Sequence, residues 1–143
     1  MAIEENKALV RHFMEEFWDR GDLSAADGLF PAEEAAAVQG WAARLRTSMP
    51  DLRVTVDYLV AERDLVAVYY TLRGTHTGVA TGPFVDLLEP SGRIVPTGNA
   101  VEITGSFLFR VAGGALTQLR RNGDTFGLFQ QFGVLPRVGA RGR

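Results

Sequence analysis

Residues 72–78 read Leu-Arg-Gly-Thr-His-Thr-Gly, and residues 122–133 read Asn-Gly-Asp-Thr-Phe-Gly-Leu-Phe-Gln-Gln-Phe-Gly. The first stretch ends a segment in which apolar residues alternate with others from Val66 onward, as a half-buried β-strand requires. The second begins where another alternating segment stops, and Asp124 is placed to cap a helix there. The two stretches therefore predict two long strands, one ending in a turn and one running into a helix.

The remaining strands follow from the same two-residue period. Residues 52–58 predict the first strand, residues 100–111 the third and residues 115–121 the fourth, with a Gly113-Gly114 turn joining the last two. This alternation places Tyr58 and Tyr70 on the inward faces of neighbouring strands.

Helical periodicity precedes the strands. Apolar residues at three- and four-residue spacing predict an amphipathic helix that ends at Gly21, a short second helix that runs from Asp22 to Phe30, and a third that starts at Pro31. The inner face of the third helix is predicted to carry Val38, Trp41, Leu45 and Met49. Helices followed by antiparallel strands predict an α+β fold, with three N-terminal helices packed on one face of a strongly curved sheet.

Length and composition limit the domain organisation. The chain has 143 residues, of which 46% are hydrophobic and 22% charged, as is usual for one globular domain. We expect a single domain over residues 1–134 and a flexible basic tail over residues 135–143 that carries Arg137, Arg141 and Arg143.

Composition also argues against several function classes. Without cysteine and with only two histidines, the chain offers no thiolate chemistry and no metal-ligand spacing, so no metal and no cofactor are expected. A net charge of −2 argues against nucleic acid, and the lack of a long apolar run argues against the membrane, so a cytoplasmic protein is expected. Phosphate-binding, dinucleotide-binding and serine-hydrolase motifs are lacking.

Six stretches in order carry a family resemblance. They are Asn6-Lys7-Ala8-Leu9-Val10, Met49-Pro50-Asp51-Leu52, residues 72–78, Pro96-Thr97-Gly98, Val101-Glu102-Ile103-Thr104-Gly105 and residues 122–133. With these stretches the chain resembles the SnoaL-like polyketide cyclases of the NTF2-like superfamily. The resemblance implies a cone-shaped fold with a cavity at its mouth, and a homodimer formed through the outward sheet face near Tyr69, Thr71 and Leu108.

Three cavity positions depart from that family's aldol cyclases. The positions that correspond to the family's glutamine, histidine and acid–base aspartate carry Gly105, Phe107 and Arg121 here. Because an arginine stays protonated near neutral pH, Arg121 cannot abstract a proton as the aspartate does. The aldol-cyclase mechanism therefore does not transfer residue by residue.

Compared with the family that it resembles, the chain has an extra segment over residues 79–95, where relatives have a shorter connection. It also lacks the short strand that many relatives have between their second and third helices. We expect the insert to fold over the cavity mouth and replace the wall that the missing strand would form. The alternative is a mobile surface loop.

Three polar residues are candidates for catalysis. Arg121 is predicted to face the cavity and polarise a carbonyl; the alternatives are an ion pair with Glu102 or Asp124, or a one-residue slip that turns Arg120 inward. Asp124 is a candidate acid or base as well as a helix cap. His76 has a side chain suited to proton transfer, and the family resemblance implies that it lies at the cavity mouth. The alternative is a role in the turn or in substrate entry.

Aromatic and apolar residues complete the predicted site. Tyr58 and Tyr70 are candidates to hydrogen-bond a substrate oxygen, with core packing as the alternative. Apolar walls for substrate binding are predicted from Trp41, Phe107, Phe17, Phe13 and Leu72, each of which could equally be plain core.

Two functions follow from these expectations. The first is a cofactor-independent cyclase or isomerase that acts on an apolar, oxygenated, polyketide- or terpenoid-like intermediate of secondary metabolism. The alternative is a non-catalytic ligand-binding or scaffold protein on the same fold, which the loss of three polar cavity positions favours.

Overall fold

A four-stranded antiparallel sheet forms the centre of the computed structural model, which describes residues 2–135. Its strands lie side by side in chain order: β1 (Arg53–Glu62), β2 (Leu65–Thr75), β3 (Ala100–Ala112) and β4 (Ala115–Gly123). Gly113 and Gly114 both adopt positive φ angles of 58° and 75° in the β3–β4 turn, a conformation that glycine adopts without steric cost. The predicted α+β class and the four strands are confirmed.

Helices cover one face of this sheet. They are α1 (Ala2–Phe13), α2 (Ala32–Ser48), α3 (Pro83–Leu88) and α4 (Thr125–Phe132). A π-helical stretch, Met14–Asp19, follows α1 directly, and Arg20 and the left-handed Gly21 come after it. The predicted second helix is only a 3-10 turn at Leu23–Ala26.

The end of the π-helical stretch is tied to the sheet. Asp19 accepts hydrogen bonds from the Arg53 side chain at 2.8 and 3.0 Å and from the Val54 backbone amide at 2.9 Å. Arg46 on α2 donates to the carbonyl oxygens of Trp18 and Asp19, which the helix leaves without an internal partner. These bonds fix α2 and the first helix against β1.

An aromatic cluster fills the space between the helices and the sheet. Phe13 and Phe17 are stacked with ring centroids 4.8 Å apart, and Phe13 also meets Phe30 and Phe109 edge to face. Because Phe13 and Phe17 are fully buried in this cluster, they belong to the core and do not line the cavity, contrary to prediction.

Two β-bulges reset which side chains face inward. Between Val56 and Tyr58 the pairing of β1 with β2 shifts by one residue. Asp57 therefore has no residue opposite it on β2, and Tyr58 points outward. Tyr58 is 70% exposed, so its predicted inward position is wrong. A second bulge leaves Leu119 without a partner on β3 and restores Arg121, rather than Arg120, to the inner face.

The insert forms an ordered wall rather than a bare loop. Ala80 and Ile94 pair through two backbone hydrogen bonds of 3.0 and 2.9 Å, and α3 lies between them with Val85 buried. Residues 80–85 line the cavity, which confirms the expected position of the insert.

Part of the domain prediction falls outside the structure. The arginines of the basic tail, Arg137, Arg141 and Arg143, lie outside the described residues. Across residues 2–135, no helix has the length and apolar character needed to cross a lipid bilayer.

Candidate active site

A cavity of about 700 Å³ opens between α2, the insert, the ends of β2 and β4, and α4. This volume falls in the usual range for small-molecule sites. Its apolar wall includes Phe30, Val38, Trp41, Leu72, Ile103 and Phe129. Trp41 and Leu72 therefore lie where they were predicted.

Phe107 lies behind this wall. Its ring stacks on Tyr70 with centroids 5.1 Å apart and on Trp18 at 5.9 Å, and it borders only a small void next to the main cavity. The predicted direct contribution of Phe107 to the main cavity is wrong, since Tyr70 and Trp41 stand between. Phe107 instead supports both rings, and it leaves the cavity open.

Arg121 is the polar centre of the inner wall. Its register partner is the inward-facing Phe107, and its guanidinium carbon lies 4.1 Å from the centroid of the Trp41 ring. Such a cation–π contact holds the side chain over the ring without neutralising it. Among the described residues no carboxylate lies within ion-pair distance of Arg121. The two carboxylates expected as alternative partners make other contacts: Glu102 pairs with Arg73 at 3.1 Å, and Asp124 caps α4.

Tyr70 faces the same space from β2. Burial raises the pKa of its phenol, and the nearby Arg121 opposes part of that shift, so the group is a neutral hydrogen-bond donor at neutral pH. Within the part of the chain that the structure describes, the Tyr70 side chain makes no hydrogen bond, while its ring lines the cavity. The hydroxyl is therefore free to bind a ligand oxygen.

Gly105 makes room for this phenol. Tyr70, Gly105 and Gly123 lie in one cross-strand row. A Cβ added at Gly105 would lie 2.6 Å from Tyr70 Cζ and 2.7 Å from the Asn122 carbonyl oxygen. Glycine at position 105 thus removes one side chain from the wall and lets another, from β2, occupy its place.

Of the other two catalytic candidates, Asp124 lies where it was predicted and His76 does not. Asp124 lines the cavity, but its Oδ1 accepts from the Gly127 amide at 2.8 Å, which makes it the cap of α4. His76 is fully buried, stacks on Phe132 at 4.0 Å and lies 3.0 Å from Thr97 Oγ1 through Nδ1. Because Phe132 stands between His76 and the cavity wall, the predicted location of His76 at the mouth is wrong.

Burial also explains the electrostatics of His76. Burial lowers the pKa of the imidazole, and the Gly78 backbone opposes that shift in part. Its Nε2 has no hydrogen-bond partner among the described residues. His76 is thus a neutral core residue that holds the turn after β2 against α4.

Two charged residues on α2 were not among the predicted site residues. Glu34 and Arg44 both line the cavity, and Glu34 Oε2 accepts from the Gln118 amide at 3.3 Å. The sequence did contain a signal: Glu34 precedes Val38 by one helical turn on the face that was predicted to point inward. Clusters of three or more potential metal ligands (His, Cys, Asp or Glu) are not found among residues 2–135.

The fold and the cavity place the molecule among the small α+β proteins with a pocket between their helices and a curved antiparallel sheet. The profile of the SnoaL-like polyketide cyclase family matches residues 8–132, so the chain belongs to that family. No curated protein sequence matches it.

Solved structures share the fold at low sequence identity. AclR from Streptomyces galilaeus, described as a proposed hydroxylase, is 24% identical with a TM-score of 0.76, over 96% of this chain and 87% of its own. IdmH from Streptomyces antibioticus, a proposed polyketide cyclase, is 22% identical with a TM-score of 0.66, over 90% and 98%. An epoxide hydrolase from M. tuberculosis is 13% identical with a TM-score of 0.61, over 92% of both chains.

Proposed function

We propose that this protein is a cyclase or isomerase that enolises a ketone of an apolar, oxygenated, polyketide- or terpenoid-like substrate without a cofactor. The observation that carries the proposal is an unneutralised guanidinium beside a free phenol hydroxyl in a largely apolar cavity. A substrate carbonyl oxygen that binds Arg121 and Tyr70 gains stabilisation as negative charge develops on it.

Enolisation also needs a base, and Glu34 is the cavity carboxylate that makes the longer hydrogen bond to the protein, at 3.3 Å against 2.8 Å for Asp124. Asp124 is folded back on the α4 backbone, where a Cβ at Gly127 would lie 2.6 Å from Asp124 Cγ. Glu34 lines the cavity and makes one long hydrogen bond through Oε2, and its Oε1 accepts none from the described residues. In the proposed step Glu34 takes a proton from the carbon next to the carbonyl, and the electron pair moves to the oxygen held by Arg121 and Tyr70.

The enolate then has two outcomes within the same cavity. Attack on a second carbonyl of the folded substrate closes a ring, after which Glu34 returns its proton to the new alkoxide. In a substrate with a carbon–carbon double bond conjugated to the enolate, return of the proton to the far carbon of that double bond gives isomerisation. Confinement by the walls of Trp41, Leu72 and the insert supports the first outcome, because it holds the two reacting carbons together.

Deuterium incorporation into 1-tetralone in D2O, followed by proton NMR, tests enolisation without knowledge of the natural substrate. We expect the wild-type protein to accelerate exchange at the carbon next to the carbonyl, and Glu34→Gln and Arg121→Gln each to slow it by about 100-fold. Arg120→Gln is the matched control, since Arg120 carries the same charge on the opposite face of β4.

The alternative is a non-catalytic ligand-binding protein. The replacement of the aldol-cyclase side chains by Gly105, Phe107 and Arg121 supports it. Binding of 1-tetralone with no exchange above the buffer rate would favour this alternative over enolisation.

A further inference from the structure

The charged side chains that line the cavity differ in whether they already bind other groups of the protein. Glu34 and Asp124 each accept a hydrogen bond from a backbone amide of the protein, at 3.3 and 2.8 Å. The two cations, Arg44 and Arg121, make no hydrogen bond or ion pair with any described residue. Both guanidinium groups are therefore available to an anionic or carbonyl group of a ligand.

Arg44 is held at the edge of the cavity by the insert. A Cβ at Gly82 would lie 3.1 Å from Arg44 Nε and 3.5 Å from its Cδ, so the guanidinium stem lies directly on the insert backbone. Gly82 has a φ of 128°, which a side chain rarely tolerates, so both the space and the backbone require glycine there. Gly82 of the insert thus leaves room for the Arg44 side chain of α2.

The two guanidinium groups come from different elements and contact different neighbours. Arg121 of β4 lies over Trp41, whereas the Arg44 side chain of α2 lies against Gly82 of the insert. A ligand can thus use both groups at once, one near the Tyr70 hydroxyl and one near the insert. A planar guanidinium favours a carboxylate because two parallel hydrogen bonds can form.

We propose that the cavity takes a carboxylic acid: an apolar ring compound whose carboxylate binds Arg44 at the insert while its ketone reaches Arg121 and Tyr70. This assignment rests on the proposed function for the use of the ketone end. The recognition of the acid by Arg44 is a separate property that binding alone can measure.

Calorimetric titration with 2-naphthoate and with 2-naphthamide at neutral pH tests the acid subsite, because the two probes share a ring system and differ in charge. The wild-type protein should bind the carboxylate at least about tenfold more tightly than the amide. Arg44→Gln should remove that preference and leave amide affinity unchanged, and Arg44→Lys should keep part of it. Arg93→Gln is the control, because Arg93 is an exposed arginine of the same insert that does not line the cavity.

Equal affinity of the wild-type protein for the two probes, or an undiminished preference in Arg44→Gln, would overturn the acid subsite. The result is independent of the exchange experiment. A protein that enolises 1-tetralone without preferring the carboxylate keeps the proposed function and loses this subsite. A protein that prefers the carboxylate but never enolises keeps the subsite and loses the function.

Discussion

At the scale of single residues, Tyr70 and Arg121 are the polar side chains that lie beside Gly105 and Phe107 on the inner sheet face. The space at Gly105 lets the Tyr70 phenol cross the sheet surface, and Phe107 supports its ring. Arg121 remains charged over Trp41. The polar side chains on this part of the inner sheet face thus lie on β2 and β4.

Gly105→Ala should lower the free energy of unfolding by about 1–3 kcal/mol, because the new methyl group overlaps Tyr70 and the Asn122 carbonyl oxygen. Gly40→Ala is the matched control: its methyl group meets only Arg44 Nη1 at 3.7 Å, inside α2. That substitution should stabilise the protein by about 0.5–1 kcal/mol, because alanine favours helix. Urea denaturation measures both, and an unchanged midpoint for Gly105→Ala would show that Tyr70 is not confined there.

His76 should make the protein sensitive to mild acid. Its pKa in the folded state is below its ordinary value of 6.5, so protons bind more tightly to the unfolded chain. The neutral, buried imidazole of His76 therefore contributes fully to stability above pH 6.5, and this contribution is lost as the pH falls below 6.5. In His76→Phe, which keeps the stacking on Phe132, the melting temperature should fall less between pH 7 and pH 5 than in the wild type; equal falls would contradict the assignment.

Residue patterns in the sequence predict about half of this site, and the two bulges bear on two of its side chains, Tyr58 and Arg121. Strict alternation from Val54 puts Tyr58 inward, but the unpaired Asp57 turns it outward. Alternation from the buried Leu116 would put Arg120 inward, and the unpaired Leu119 corrects this to Arg121. A bulge depends on how two strands pair, so the sequence of one strand does not reveal it.

At the scale of elements, the insert and the end of the first helix determine the shape of the cavity. The insert brings residues 80–85 to one wall. The Asp19 and Arg46 bonds hold α2 and the π-helical stretch against β1, and so fix the wall that carries Trp41. Helical periodicity predicted α2 and its inner face, but it could not show the α3 helix, because six residues are too few for a periodic pattern.

Asp19→Asn should cost about 1 kcal/mol of stability at neutral pH, since it weakens the bonds to Arg53 and Val54. Hydrogen bonding from Arg53 is the main reason that the pKa of Asp19 lies below its ordinary value of 3.8, and the Val54 amide adds to it. The contribution is therefore present above that value and is lost as the pH falls through the lower, folded-state pKa. Denaturation at pH 7 and pH 2 measures it: a difference that persists undiminished at pH 2 would contradict an ionic origin.

At the scale of the whole molecule, the sheet has one covered and one open face. The open face carries Tyr58 and Val60, which are 70% and 64% exposed, and Tyr69 at 43%. Tyr58 and Tyr69 lie together, with ring centroids 6.1 Å apart. We propose that this apolar face pairs with the same face of a second copy, which would bury these side chains in a homodimer.

Val60→Asp should convert that dimer to a monomer, because it places a charge on each side of a symmetric contact. Val95→Asp is the control, since Val95 is equally exposed at 68% but belongs to the insert. Light scattering coupled to gel filtration reports the mass directly. A wild-type monomer at micromolar concentration, or a dimer unaffected by Val60→Asp, would contradict pairing through this face.

The account as a whole depends on a substrate carbonyl that Arg121 and Tyr70 polarise, and the infrared stretching frequency of a bound carbonyl measures that polarisation directly. With 1-tetralone labelled with carbon-13 at the carbonyl, we predict a bound frequency lower than that of the free ketone in water, because two donors act on it in an apolar cavity. The shift should shrink in Arg121→Gln and in Tyr70→Phe, and it should persist in Arg120→Gln. A bound frequency equal to that of the ketone in an apolar solvent would contradict the proposed role of the cavity.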